Sequence, residues 1–116
     1  MTDNADPRSL PLRPPVFHIL LALAGGDLHG LGIADEVERA SEGVVQLGPG
    51  TLYRSLADMV RAGLIRGVEA PADGADPRRK YYRVTPAGRA LLAAETRRLG
   101  KLVEEARGRH GQPDLA

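Results

Sequence analysis

The chain has 116 residues, a formal net charge of +1, 42% hydrophobic and 27% charged residues, and no cysteine. This is one domain of ordinary globular composition with a modest core, and it excludes disulfides, thiolate metal sites and a cysteine nucleophile. The charge is uneven: residues 1–50 carry three basic side chains (Arg8, Arg13, Arg39) against seven acidic ones, a balance of −4, while residues 51–116 carry 13 against eight, a balance of +5. One half facing a polyanion reads this way, and so does a fully solvated imbalance.

The opening MTDNADPRSLPLRPP is neither basic nor apolar enough for a signal peptide, and no apolar run approaches the ~20 residues of a membrane span. A cytoplasmic protein is expected. Residues 1–13 are polar and proline-containing and read as a flexible arm. Pro14-Pro15 can open a helix, because the first turn needs no backbone donors. Val16, Phe17, Ile19, Leu20, Leu21 and Leu23 follow, apolar on most sides, so this helix is expected to be buried on more than one face until Gly25-Gly26 stops it. "DLHG" makes a turn with His29 near a helix start. In the second helix Leu31, Ile33, Ala34, Val37 and Ala40 line one side, with Asp35, Glu36, Glu38 and Arg39 outside. "SEGVVQL" is a break carrying a short candidate strand at Val44 to Leu47.

A Gly48-Pro49-Gly50 breaker precedes the third helix. At about 100° per residue, Leu52, Leu56, Met59, Val60 and Gly63 fall within one arc, while Thr51, Arg54, Asp58 and Arg61 lie opposite and Tyr53 and Ser55 flank the seam. Thr51 is a candidate N-cap. After Gly63 the period changes: "LIRGVEA" and "RKYYRV" read as strands joined by the turn-rich "PADGADPR". Tyr81 and Tyr82 alternate across the second strand, so one is expected to pack on the core and the other not. Thr85-Pro86 combines an N-cap with proline at the first helical position. The last helix runs towards residue 107. Its residues Leu92, Thr96, Leu99, Val103 and Ala106 form a seam suited to another helix, slightly weakened by Gly88 and Gly100. Residues 109–116 read as a disordered tail.

Three helices, a two-stranded hairpin and a further helix are the element order of a winged helix-turn-helix domain. The predicted class is mainly α with a small β component: a DNA-binding domain over 14–85 and a dimerisation helix over 86–108. Such a fold makes the third helix the recognition helix, its first turns entering the major groove. Thr51, Tyr53, Arg54 and Ser55 are then the candidate DNA contacts on that helix, although Tyr53 would serve equally as a packing residue. Arg54 has no reason to face inward and suits guanine or phosphate. Arg61 lies further from the groove-entering end, and Asp58 would repel phosphate. Arg78, Arg79 and Lys80 follow the hairpin tip, where a wing lies along the sugar-phosphate backbone; Asp73 and Asp76 dilute their potential. His18, His29 and His110 have no spacing that puts two on one helical face for a metal. No Gly-x-Ser-x-Gly, phosphate-binding loop or dinucleotide fingerprint is present, and no cofactor or enzymatic activity is expected.

"LHGLGIADEVE", "LGPGTLYRSLADMVRAGLI" and "RRKYYRVTPAGRALL", in this order and spacing, resemble the PadR family of bacterial transcriptional regulators over roughly residues 10–107. The resemblance implies a homodimeric repressor that binds double-stranded DNA, often at its own gene and at neighbouring detoxification or transport genes. It implies dimerisation through the C-terminal helix with the first helix contributing, here Leu92, Leu99, Val103, Ala106 and Phe17. It makes Tyr82 the inner tyrosine, and places a small-molecule effector between or beside the C-terminal helices, at residues the sequence does not identify. The chain is similar to short-form members with one C-terminal helix. It departs from them at Leu31, where tyrosine is common, and it lacks the tryptophan some members use to stack flat drugs. The reading is therefore a repressor on an inverted-repeat operator. Its rival is a winged-helix module for protein interaction or ligand sensing with weak DNA binding, which the near-neutral net charge favours.

Overall fold

Pro14 and Pro15 occupy the first turn of α1 (Pro14–Ala24) without losing a needed donor. The computed structural model describes residues 6–72 and 76–110. After α1 come β1 (Leu28–His29), α2 (Gly30–Ala40), α3 (Pro49–Arg61), β2 (Ile65–Val68), β3 (Tyr81–Val84) and α4 (Pro86–His110). The strands form an antiparallel sheet in the order β1-β3-β2, with Leu28 opposite Tyr82 and Ile65 opposite Val84. The class is as the sequence predicts: mainly helical, a winged helix-turn-helix with a long C-terminal helix. Among the described residues no helix is long and apolar enough to cross a membrane.

The core gathers Val16, Ile19, Leu20 and Leu23 of α1, Ile33 and Val37 of α2, Leu52, Leu56 and Met59 of α3, and Leu64, Ile65, Tyr82 and Val84 of the wing. α1 sits at its centre, packed on α2, α3, α4 and β3. This explains why it is apolar on most sides, although Leu21 stays exposed.

Several expectations are corrected. Val44 to Leu47 is no strand: Glu42 and Gly43 take positive φ, and Ser41 Oγ accepts from the Val45 amide at 2.9 Å, curling the segment so that Val45 and Leu47 lean on the core without a strand partner. The third strand is instead the two-residue β1, in the stretch read as a turn. Of the α2 residues expected on the inner side, Ile33, Val37 and partly Ala34 face inward, while Leu31 and Ala40 are exposed. Two residues from Ile33 is about 200° around a helix, so a helix that buries Ile33 must turn Leu31 out. α3 begins at Pro49 with Gly48 as N-cap, so Thr51 lies inside the first turn, exposed, and caps nothing. Val60 and Gly63, assigned to the buried arc, are also exposed. Both Tyr81 and Tyr82 are buried, because β3 is the central strand and the His29 ring covers Tyr81 edge-on at 5.2 Å.

Thr85 caps α4 as predicted. Its Oγ1 accepts from the Gly88 amide at 3.1 Å and donates to the Gly63 carbonyl at 2.6 Å, tying α4 to the turn after α3. On the exposed face of the sheet Arg66 and Arg83 are cross-strand partners, and the repulsion is relieved by Asp27, which holds Arg83 at 2.7 Å. Hydrogen bonding to Arg83, aided by the charge of Arg66, holds the Asp27 carboxyl below its usual range.

Residues 1–5 of the predicted arm, and 111–116 of the predicted tail, lie outside the described residues. Leu12 of the arm is not loose. It is buried in the core, and its amide donates at 2.9 Å to Oε2 of Glu95, the one buried charged side chain among the described residues. Arg98 completes the site, with Nε 2.6 Å from Glu95 Oε1. The Arg98 hydrogen bonds, and then the Leu12 amide, hold the Glu95 carboxyl below its usual range against the opposing effect of burial. A carboxylate with a depressed folded-state pKa stabilises the fold above its unfolded pKa, and that stability is lost as pH falls through the folded value. Glu95→Ala is therefore expected to lower the urea midpoint near neutral pH and to flatten its decline between about pH 6 and 3, while Glu95→Gln, which keeps an acceptor for Leu12, loses less at neutral pH. Urea titrations of the three proteins across that range check this.

Candidate nucleic-acid interface

The Gly-Pro-Gly sequence shapes the start of α3. Pro49 presets φ at the first position, and the Gly48 N-cap has no side chain to satisfy the free amides behind it. The first turn thus presents unsatisfied N–H groups and the positive end of the helix dipole to whatever approaches. Leu52, Leu56 and Met59 hold the helix to the core, which turns Thr51, Tyr53 and Arg54 to solvent and leaves Ser55 half-buried. Arg54 has no ion-pair partner among the described residues. Arg61 is held by Asp58 one turn before it, which withdraws both from competition and leaves the exposed end of α3 cationic.

The wing carries the second group. Asp76 accepts from Arg78 Nε at 3.1 Å and lies 3.7 Å from Arg79, and these contacts, Arg78 first, hold its carboxyl below the usual range. Lys80 has no carboxylate partner among the described residues; its Nζ sits 5.6 Å from the centre of the Tyr82 ring. Asp73 lies outside the described residues. Asp76 therefore masks two of the three predicted cations. Asp76→Asn is expected to strengthen binding to random-sequence duplex by about 2–5-fold and to steepen its salt dependence, measurable by fluorescence anisotropy at several salt concentrations.

The fold brings these two groups to one side. Tyr53 of α3, Gly30 and Leu31 of α2, and Arg79, Lys80 and Tyr82 of the wing line a shared cavity of about 180 Å³. Tyr53 is 50% exposed. Its hydroxyl packs against the bare backbone of Gly30, where a Cβ would come within 2.6 Å of it. His29 caps α2 by accepting from the Gly32 amide at 3.1 Å. Sequence reasoning assigned Tyr53 a place but missed the contribution of Gly30, Leu31 and Tyr82; the His-Gly pair at a helix start was the available signal. Among the described residues no group of three or more His, Asp or Glu is placed to hold a metal ion.

The predicted dimer residues divide. Phe17 and Leu92 are half-buried against the chain's own core. Leu99 is half-buried, and from residue 100 to 109 α4 is exposed throughout, with Leu102 at 53% and Val103 at 47% and Ala106 on the same stretch. Leu102 was missed because it falls outside the four-three spacing.

The family model described as transcriptional regulator PadR-like matches residues 19–94. A transcriptional regulator of Mycobacterium tuberculosis is 36% identical over 92 residues, 79% of this chain and 81% of that one. Among solved structures, a PadR family transcription regulator from Clostridium difficile superposes with TM-score 0.69 at 22% identity, covering 84% of this chain and 98% of that one. Bacillus subtilis PadR in complex with operator DNA superposes with TM-score 0.60 at 22% identity, covering 71% of this chain and 46% of that one. At these identities the structural matches speak for the fold.

Proposed function

Because the chain belongs to the PadR-like family of transcriptional regulators, which are not enzymes, we propose that it is a sequence-specific DNA-binding repressor acting in the cytoplasm as a homodimer. The observation that carries this is the convergence of an uncapped, cation-bearing α3 start and a basic wing on one side of the domain. In this reading Arg54 reads a base edge in the major groove. Thr51 and Ser55 contact the strand beside it, and Arg78, Arg79 and Lys80 follow the backbone. Two copies pair through the outer half of α4, with Leu99, Val103 and Ala106 at the contact, Leu102 added, and Phe17 and Leu92 at its base. The dimer's two recognition helices then face two half-sites of an inverted repeat, ~10 bp or a multiple apart. A small-molecule effector releases the operator by binding the free dimer more tightly than the bound one, since differential affinity alone can drive release.

Selection of genomic fragments by the purified protein, followed by footprinting, tests this; a protected inverted repeat is the expected result, and a direct repeat overturns it. On that operator Arg54→Ala should cost about 1–3 kcal/mol and relax specificity at one position per half-site. An unchanged affinity in a folded variant would remove α3 as the reading surface.

A further inference from the structure

Leu31 is 53% exposed in the first turn of α2, and the burial of Ile33 and Val37 leaves it no inward rotation. A lone exposed leucine is ordinary on a protein surface, but the neighbours of this one are not. Tyr53 of α3 and Arg79 and Lys80 of the wing line the same cavity, and all three are exposed. Tyr53 directly precedes Arg54, the outward cation of α3. At about 180 Å³ the cavity falls short of the ~300 Å³ or more that a drug-sized ligand fills, so a macromolecular surface suits it better. When the two wing cations meet phosphates and Arg54 meets a base edge, Leu31 loses its water with them. That loss is favourable against an apolar surface and costly against a polar edge left without a partner. The edges of base pairs in the major groove offer one apolar group, the C5 methyl of thymine.

We infer that Leu31 is a specificity-determining residue that reads a thymine by its methyl group, at one position of each half-site beside the base pair met by Arg54. The inference rests on the DNA-binding reading above and deepens it, adding a base-reading side chain from outside α3. Tyr53 is a positioning residue for this contact. Its hydroxyl packs on the bare backbone of Gly30, one residue before Leu31, so its ring stands as a wall beside the leucine. Cytosine at the same place has a hydrogen where thymine has the methyl, and its amino group, desolvated against leucine, finds no acceptor there.

The test takes the operator recovered by fragment selection and replaces thymine by deoxyuridine, one position at a time and symmetrically in both halves, which removes the methyl and nothing else. Binding is read by fluorescence anisotropy. At one position the wild type is expected to lose about 2–4-fold per half-site, and about 4–15-fold with both halves changed. Cytosine there should bind more weakly still, and 5-methylcytosine should recover part of that loss. Leu31→Ala, which removes an exposed side chain and is checked by thermal melting, should bind the thymine and deoxyuridine operators equally. Deoxyuridine operators that all bind the wild type as the thymine operator does overturn the inference and leave the DNA-binding reading standing. So does a Leu31→Ala variant that keeps the full deoxyuridine penalty, because another residue then reads the methyl. A Leu31→Ala loss that is the same on operator and random-sequence duplex places the leucine on deoxyribose and overturns it too. A wild type that protects no operator defeats the DNA-binding reading and this inference with it.

Discussion

Replacement of Leu99 and Val103 together by glutamate is expected to give a folded monomer of about 12 kDa in sedimentation, with operator affinity reduced about 10²–10⁴-fold. α4 has 25 residues, and at ~1.5 Å per residue it extends ~37 Å. Only its first half is anchored, by Leu91 and Leu92 on the core and by Glu95 on Leu12. An unsupported helix of the remaining length is marginal in water, so the outer half needs a partner surface. Leu99, Leu102, Val103 and Ala106 provide an apolar one. Charges placed in it are strongly unfavourable once buried but nearly free when exposed. Since Leu99 is only half-buried and Val103 exposed in the single chain, the substitutions should break the pair without unfolding the domain. Losing the second half-site removes the gain in effective concentration that two linked recognition helices enjoy. Inserting ~5 bp between the operator halves should cause a similar loss in the wild type, because it turns one half-site to the far side of the duplex. A double variant that remains dimeric would place the interface elsewhere.

Gly88→Ala and Gly100→Ala, both inside α4, are expected to change stability in opposite directions. A Cβ on Gly88 would meet the Leu64 carbonyl oxygen at 2.2 Å and the Val84 Cγ2 at 2.8 Å. The first of these is backbone, so relief requires α4 to move off the wing. That movement would strain the Thr85 bonds to Gly63 and Gly88. Overpacking of this kind costs about 1–3 kcal/mol, more than the ~1 kcal/mol that alanine gains over glycine in a helix. Around Gly100 nothing lies within 4 Å, so there the propensity gain stands alone, up to ~1 kcal/mol of stabilisation. Thermal melting of the two variants should show Gly88→Ala several degrees below the wild type and Gly100→Ala a few above.

The contrast between these two glycines bears on what the amino-acid order reveals. Reading along the chain, both only weaken a helix, since propensity is a property of one residue and its turn. Whether a glycine is needed depends on what the fold brings to its Cα, and the Leu64 carbonyl arrives from 24 positions away. The same division runs through the candidate site. Helix starts at Pro14 and Pro86, the Thr85 cap and the inner face of α3 follow from local patterns: proline geometry, a hydroxyl three residues before a free amide, and apolar spacing at the helical period. The outward Arg54 follows from that period too. What tertiary structure alone decided involves partners distant in sequence. β1 is two residues long, too short to carry a period, and exists because β3 pairs with it. Tyr81 is buried because β3 became the central strand and His29 covered it. Leu31 faces out because burial of Ile33 and Val37 sets the rotation of α2. Leu12 is held by a buried glutamate 83 residues away, in a segment whose composition suggests a loose arm. Local periodicity places a side chain on one face of its own element; only the docking of elements decides whether that face meets core, water or another charge.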